Sequence, residues 1–120
     1  MTHRLLKFRG RCGDTWRKGD HLTYRDSDVI KHCLGSISPE YTVESETVGQ
    51  FTGLYDCERK EIYEGDIIQI NCKNFEVFYS QNLCAFAIKS PLQPLNKMVA
   101  LSSKVVGNIH DSPELLKGAT

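Results

Sequence analysis

The sequence predicts a mainly-β protein: a small, strongly bent antiparallel sheet or SH3-like barrel, with one short internal helix and a short C-terminal helix. Three observations carry this expectation. Residues 48–70 alternate strand-forming runs with tight polar turns. Residues 75–89 read as two alternating apolar runs joined across Gln81-Asn82. A single internal stretch, residues 26–35, has helix signals at both ends. At 120 residues the chain reads as one domain, residues 1–120, able to bury roughly two-thirds of its unfolded surface.

Residues 4–11 form the expected opening strand, with Leu6 and Phe8 on one face and Leu5, Lys7 and Arg9 on the other, because side chains alternate with period two. Cys12-Gly13-Asp14 is a turn, and Thr15-Trp16-Arg17 a short strand ended by Lys18-Gly19-Asp20. Residues 26–35 predict a helix: Ser27 or Asp26 as N-cap, Gly35 as C′ glycine, and Val29, Ile30, Cys33 and Leu34 as the apolar face. At about two turns it must pack on the sheet to survive. Residues 36–40 read as a linker and residues 41–44 as a strand.

The centre of the chain is the clearest part. Residues 50–55 mix aromatic, β-branched and small side chains, which suits a half-buried pleated surface. Gly53 interrupts the alternation and predicts a bulge or a close backbone approach. Asp56 starts a polar loop, where its carboxylate can accept a hydrogen bond from the backbone two residues on. Glu61-Ile62-Tyr63 returns as a strand, and Glu64-Gly65-Asp66 reverses it, with Gly65 free to take a positive φ. Ile67-Ile68-Gln69-Ile70 is a core strand. Trp16…Gly19-Asp20 and Tyr63…Gly65-Asp66 look like one turn solution used twice, with the Asp carboxylate meeting backbone N–H groups. Residues 90–98 carry two prolines and read as a loop. Residues 99–101 and 104–106 are expected strands. Ser112-Pro113-Glu114-Leu115-Leu116 has an N-cap, a proline at N1 and an acidic first turn, so it predicts the terminal helix.

Two runs in this chain are specific enough to suggest a family: Thr47-Val48-Gly49-Gln50-Phe51-Thr52-Gly53-Leu54 and Lys60-Glu61-Ile62-Tyr63-Glu64-Gly65-Asp66-Ile67-Ile68. Together with the tail Val105-Val106-Gly107-Asn108-Ile109-His110-Asp111-Ser112-Pro113-Glu114-Leu115, they resemble the YopX family of small phage and prophage proteins. Lys7-Phe8-Arg9-Gly10-Arg11 and Trp16-Arg17-Lys18-Gly19-Asp20 are similar to its opening pattern. The resemblance implies a mostly-β domain from a phage or an integrated element, and it brings no catalytic residues to carry over.

Composition excludes several classes. Hydrophobic content of 40% and charged content of 25% are ordinary for a globular chain. No segment approaches the ~20 apolar residues of a membrane span, so no membrane partner is expected. The basic N-terminus surrounds only a short apolar stretch, unlike a signal peptide. Five cysteines without a CxxC argue against a zinc or redox motif; the expectation is a cytoplasmic protein with free thiols. Net charge is zero but uneven. Residues 1–35 balance to +4, residues 36–70 to −6 and residues 71–120 to +2. Such patches meet inside a monomer or between subunits.

Few constellations carry chemistry. Asp56, Glu61, Glu64 and Asp66 have the ligand type of a hard-cation site, yet no further nuclease motif accompanies them, and turn chemistry explains them better. His110-Asp111-Ser112 is contiguous, whereas triad members come from separate elements. No glycine cluster forms a phosphate loop, so no cofactor is expected. Arg9, Arg11, Arg17 and Lys18 around Trp16 are the most suggestive nucleic-acid patch, basic groups interleaved with a stacking ring; the competing reading is a core tryptophan beside a solvated edge. The sequence therefore points to a non-enzymatic accessory protein that binds another protein or copies of itself. Nucleic-acid binding through Arg9, Trp16 and Lys18 stands second, and a metal-dependent enzyme using Asp56, Glu64 and Asp66 third. Gly19, Asp20, Gly53, Asp56, Gly65 and Asp66 are expected to shape turns.

Overall fold

The computed structural model describes residues 7–24, 27–31, 40–89 and 92–116. The chain groups into two compact units, residues 1–51 and 52–120. Both are mainly β with antiparallel pairing, as the sequence predicts, and the described strands do not close a barrel.

The first unit is a meander of β1 (Phe8–Cys12), β2 (Thr15–Tyr24), β3 (Ser27–Lys31) and β4 (Glu40–Val43). A 3₁₀ turn at Ser45–Thr47 then leads into β5 (Gly49–Tyr55). Strand order is β4-β3-β2-β1-β5. Gly13 takes φ 64 in the two-residue hairpin between Cys12 and Thr15, the positive φ that such tight turns favour. The sheet curls until β4 returns to β1. Glu44 N–H donates to the Arg11 carbonyl at 2.9 Å, and a Cβ on Gly10 would stand only 2.7 Å from Val43 Cγ2.

Two expectations fail in this unit. Lys18-Gly19-Asp20 does not end a strand: β2 runs through it, pairing with β1 up to Gly19 and with β3 from Asp20. Gly19, at φ 153, sits where the long strand changes partner, so it shapes a bend rather than a turn. Residues 27–31 are strand, not helix. Val29 and Ile30 are adjacent and both buried, which a strand between two neighbours achieves by burying opposite faces. Isolated from a long apolar stripe, a two-turn helix loses to β-branched pairing. The rest of that helix, residues 32–35, and the linker at residues 36–39 lie outside the described residues, as do residues 4–6 of the opening strand.

In the second unit the end of β5 pairs with β6 (Glu61–Tyr63). A sheet ordered β10-β9-β8-β7-β11 follows, from β7 (Asp66–Ile70), β8 (Lys73–Ser80), β9 (Ala85–Ile88), β10 (Gln93–Pro94) and β11 (Lys104–Asn108). The core is Ile62, Ile68, Val77, Phe86, Ile88, Leu95, Ala100 and Val105. Val77 faces Ile88 and Tyr79 faces Phe86 across the predicted hairpin, with the last two rings edge-on at 5.4 Å. Leu83 and Cys84 lie in its connecting turn instead of in β9.

Residues 92–101 depart from expectation. Gln93 and Pro94 form a short strand at the sheet edge, where a proline's missing N–H is tolerated. Residues 99–101 belong to helix α1 (Lys97–Leu101), capped by Asn96, whose Oδ1 accepts from Val99 N–H at 2.9 Å. The cap outweighs the β preference of Val99. At the C-terminus Pro113–Leu116 is 3₁₀ in form.

Candidate functional site

The basic run resolves into two faces. In the β1–β2 register Arg9 opposes Lys18 and Arg11 opposes Trp16, so these four share one face, while Arg17 opposes Gly10 on the other. Sharing a face does not make them one open patch. Arg9 is buried, its guanidinium carbon 4.7 Å from the centre of the Trp16 ring. Arg11 Nη2 lies 3.2 Å from Glu44 Oε2, a surface pair worth at most about 1 kcal/mol. Trp16 is half-buried and Lys18 exposed. What this face offers a ligand is therefore Lys18, Arg11 and the accessible part of one indole.

The carboxylates of the central motif serve the backbone. Asp56 is fully buried. Its Oδ1 accepts from the N–H groups of Glu58 and Lys60, each at 2.8 Å, and its Oδ2 accepts from Val105 N–H at 2.9 Å. One side chain thus closes the polar loop predicted from its position and pins β11 beside it. Burial alone would push its pKa up. The N–H groups of Val105, Lys60 and Glu58, with the Lys60 ammonium, outweigh that and hold it below the ordinary 3.8.

Asp66 is buried and accepts from Tyr63 N–H at 2.7 Å. Gly65 takes φ 94 in the reversal between them. Glu61 Oε1 accepts from the Tyr63 hydroxyl at 3.0 Å, and Glu64 is half-buried. Asp56 as a metal ligand would have to give up three backbone bonds. Among the described residues no three His, Cys, Asp or Glu side chains gather where they could hold a metal ion. Gly53 takes φ 84, and a Cβ placed on it would meet nothing within 4 Å; it is there for its conformation, not for a close approach. Asp20 is exposed on β2.

A different surface emerges around α1. Ala100 is buried in the core, which turns Met98 (81% exposed) and Leu101 (51%) outward. On one side of the helix a hollow of about 290 Å³ is lined by Gly53, Leu54, Tyr55, Lys97, Ala100 and Leu101. On the other, a hollow of about 380 Å³ is lined by Ile70, Asn71, Gln93, Met98, Val99 and Ser102. Tyr55 is 44% exposed at the first. The result is an apolar ridge between two shallow depressions, with Lys97 as its cation. Sequence reasoning misses it by assigning residues 90–98 to a loop. The signal is present in Asn96 followed by the helix-forming Lys97, Met98, Ala100 and Leu101.

Among the described residues no helix is long and apolar enough to cross a membrane. No curated protein matches the chain. Among solved structures it is similar to the crystal structure of protein EF1440 from Enterococcus faecalis, with 20% identity over 94% of this chain and 99% of that one and a TM-score of 0.60. At that identity the likeness speaks for the fold alone. The model of the family described as YopX protein matches residues 7–117, a span that takes in both units and every strand described above. The chain belongs to the YopX family.

Proposed function

We propose that this is a phage- or prophage-encoded accessory protein without catalytic activity, a β module that binds a protein partner or a second copy of itself. The observation that carries the reading is the α1 ridge: Met98, Leu101 and Tyr55 stand exposed beside two hollows. Exposed apolar side chains gathered in one place mark interaction surfaces, whereas scattered ones mean little. Family membership supports the phage origin, and the host cytoplasm is the compartment this reading assigns. The buried carboxylates add to it, since Asp56 and Asp66 are engaged with backbone N–H groups.

The test replaces Met98 and Leu101 together with aspartate. Light scattering over a concentration series, and capture from the bacterial host with mass spectrometry, compare the variant with the native chain. We expect association in the native chain and its loss in the variant, with folding stability changed by no more than about 0.5 kcal/mol. A native chain that is monomeric at every concentration, and whose captured proteins are the same as the variant's, removes the reading.

A second reading keeps one observation. Register places Arg9, Arg11, Trp16 and Lys18 on a common face, the arrangement a single-strand binder uses. It requires an affinity that falls steeply with salt. A flat titration against single- and double-stranded DNA and RNA ends it.

A further inference from the structure

Helix α1 sits in the longest acid-free part of the chain. Between Glu76 and Asp111 the sequence holds Lys89, Lys97 and Lys104 and no aspartate or glutamate. Neither hollow beside the helix is lined by an acidic side chain, and Lys97 borders the first. Lys73 adjoins the second. It pairs with Ile70 in the β7–β8 register, and directly opposite residues share a face of the sheet, so Lys73 lies on the face that presents Ile70 to that hollow. Both lysines are exposed, and among the described residues neither has an ion pair. The neighbouring loop does not change the sign. Its Cys57 N–H donates to the Ser103 carbonyl at 2.8 Å, and its exposed Glu58 is outnumbered by Arg59 and Lys60. Met98, Leu101 and Tyr55 are thus exposed among cations.

That sign decides between occupants. Two copies meeting symmetrically at α1 would set one patch against itself. Lysine would then face lysine with no carboxylate from either lining, a juxtaposition that costs affinity. The chain's own acidic stretch offers little as a counterpart. Within residues 36–70, Asp56 and Asp66 are buried, Glu44 bridges to Arg11 and Glu61 accepts from the Tyr63 hydroxyl. A nucleic acid would match the charge, but it binds by stacking bases on rings, and Met98 and Leu101 provide none.

We propose that the α1 ridge receives an acidic segment of another protein, with apolar side chains seated in the two hollows and carboxylates beside Lys73 and Lys97. This rests on the reading of the ridge as an interaction surface and narrows it to one class of partner. Anchors in the hollows would supply most of the affinity, and the lysines would select the sign of what approaches.

The probes are an oligothymidylate and two short synthetic peptides with leucine at the same positions, one filled out with glutamate and the other with lysine. The readout is the amide signals of Tyr55, Ala100 and Ser102 in nitrogen-15 correlation spectra of the full chain. A saturable shift with the glutamate peptide is expected, at an affinity about tenfold above that for the lysine peptide. Lys73→Glu and Lys97→Glu together should invert the preference, because attraction becomes repulsion at both positions. Where that variant does not fold, Lys97→Gln takes its place and should weaken binding of the glutamate peptide. Equal affinity of the native chain for both peptides, or an unchanged preference in the variant, overturns the acidic partner and leaves the ridge an interaction surface indifferent to charge. Silence from both peptides, with self-association abolished by Met98→Asp and Leu101→Asp, overturns it in favour of a second copy. Shifts with oligothymidylate in place of the glutamate peptide overturn it in favour of nucleic acid. Silence from all three probes, in a chain monomeric at every concentration, removes this inference and the reading beneath it together.

Discussion

The two units handle buried charge in opposite ways. In the second, the buried acidic groups are short side chains, and backbone N–H groups meet them. Asp56 takes three N–H groups and Asp66 takes that of Tyr63. In the first, the groups drawn inward are arginines, and aromatic rings receive them: Arg9 against Trp16 and Arg17 against Tyr41. A carboxylate surrounded by N–H groups is complete. A guanidinium on a ring has one face covered by that ring. The same sequence thus meets buried carboxylates with backbone N–H groups in one unit and sets arginines against aromatic rings in the other.

The largest expected effect breaks the carboxylate side. Asp56→Ala strands three N–H groups, two of them in the loop and one on β11, and should destabilise the protein by at least about 3 kcal/mol in urea unfolding. A loss below about 1 kcal/mol would mean that solvent replaces the carboxylate and that the comparison is false. Gly10→Ala tests the other unit. The added Cβ meets three Val43 carbons at 2.7, 2.9 and 3.1 Å, so overpacking should cost about 1–3 kcal/mol in a thermal melt. An unchanged melt would show that β4 can withdraw from β1. The smallest effect is on pH. Asp56 titrates below the ordinary value once folded, so its contribution is present above about 3.8 and is lost as pH falls through the lowered value. Unfolding midpoints of the native chain should fall in that acid window more steeply than those of Asp56→Asn, which has no charge to lose; parallel curves would remove Asp56 as the source.

The central motif is legible in the sequence because its signals are local. Asp56 reaches two residues on to Glu58 N–H, and Gly65 turns with a positive φ, both as their neighbours in sequence require. What is not legible depends on partners far along the chain. Val29 and Ile30 suit one face of a short helix as well as two faces of a strand, and only β2 and β4 on either side decide between them. Gly19-Asp20 resembles a turn until β3 continues the pairing that β1 gives up. Arg17 is one residue from Trp16 and Lys18, and pleating alone sends it to the other side. The α1 ridge is hidden by length: five residues are too few for periodicity to register, and the nearby prolines speak for a loop.

Trp16, the sole tryptophan of the chain, lies in the first unit with a cation against its ring. Intrinsic indole emission is therefore a private channel to that unit, and any event that moves Arg9 should alter its colour or brightness. Backbone circular dichroism listens to both units at once. Recorded side by side during unfolding, the two signals would tell an experimenter which half of the sequence gives way first.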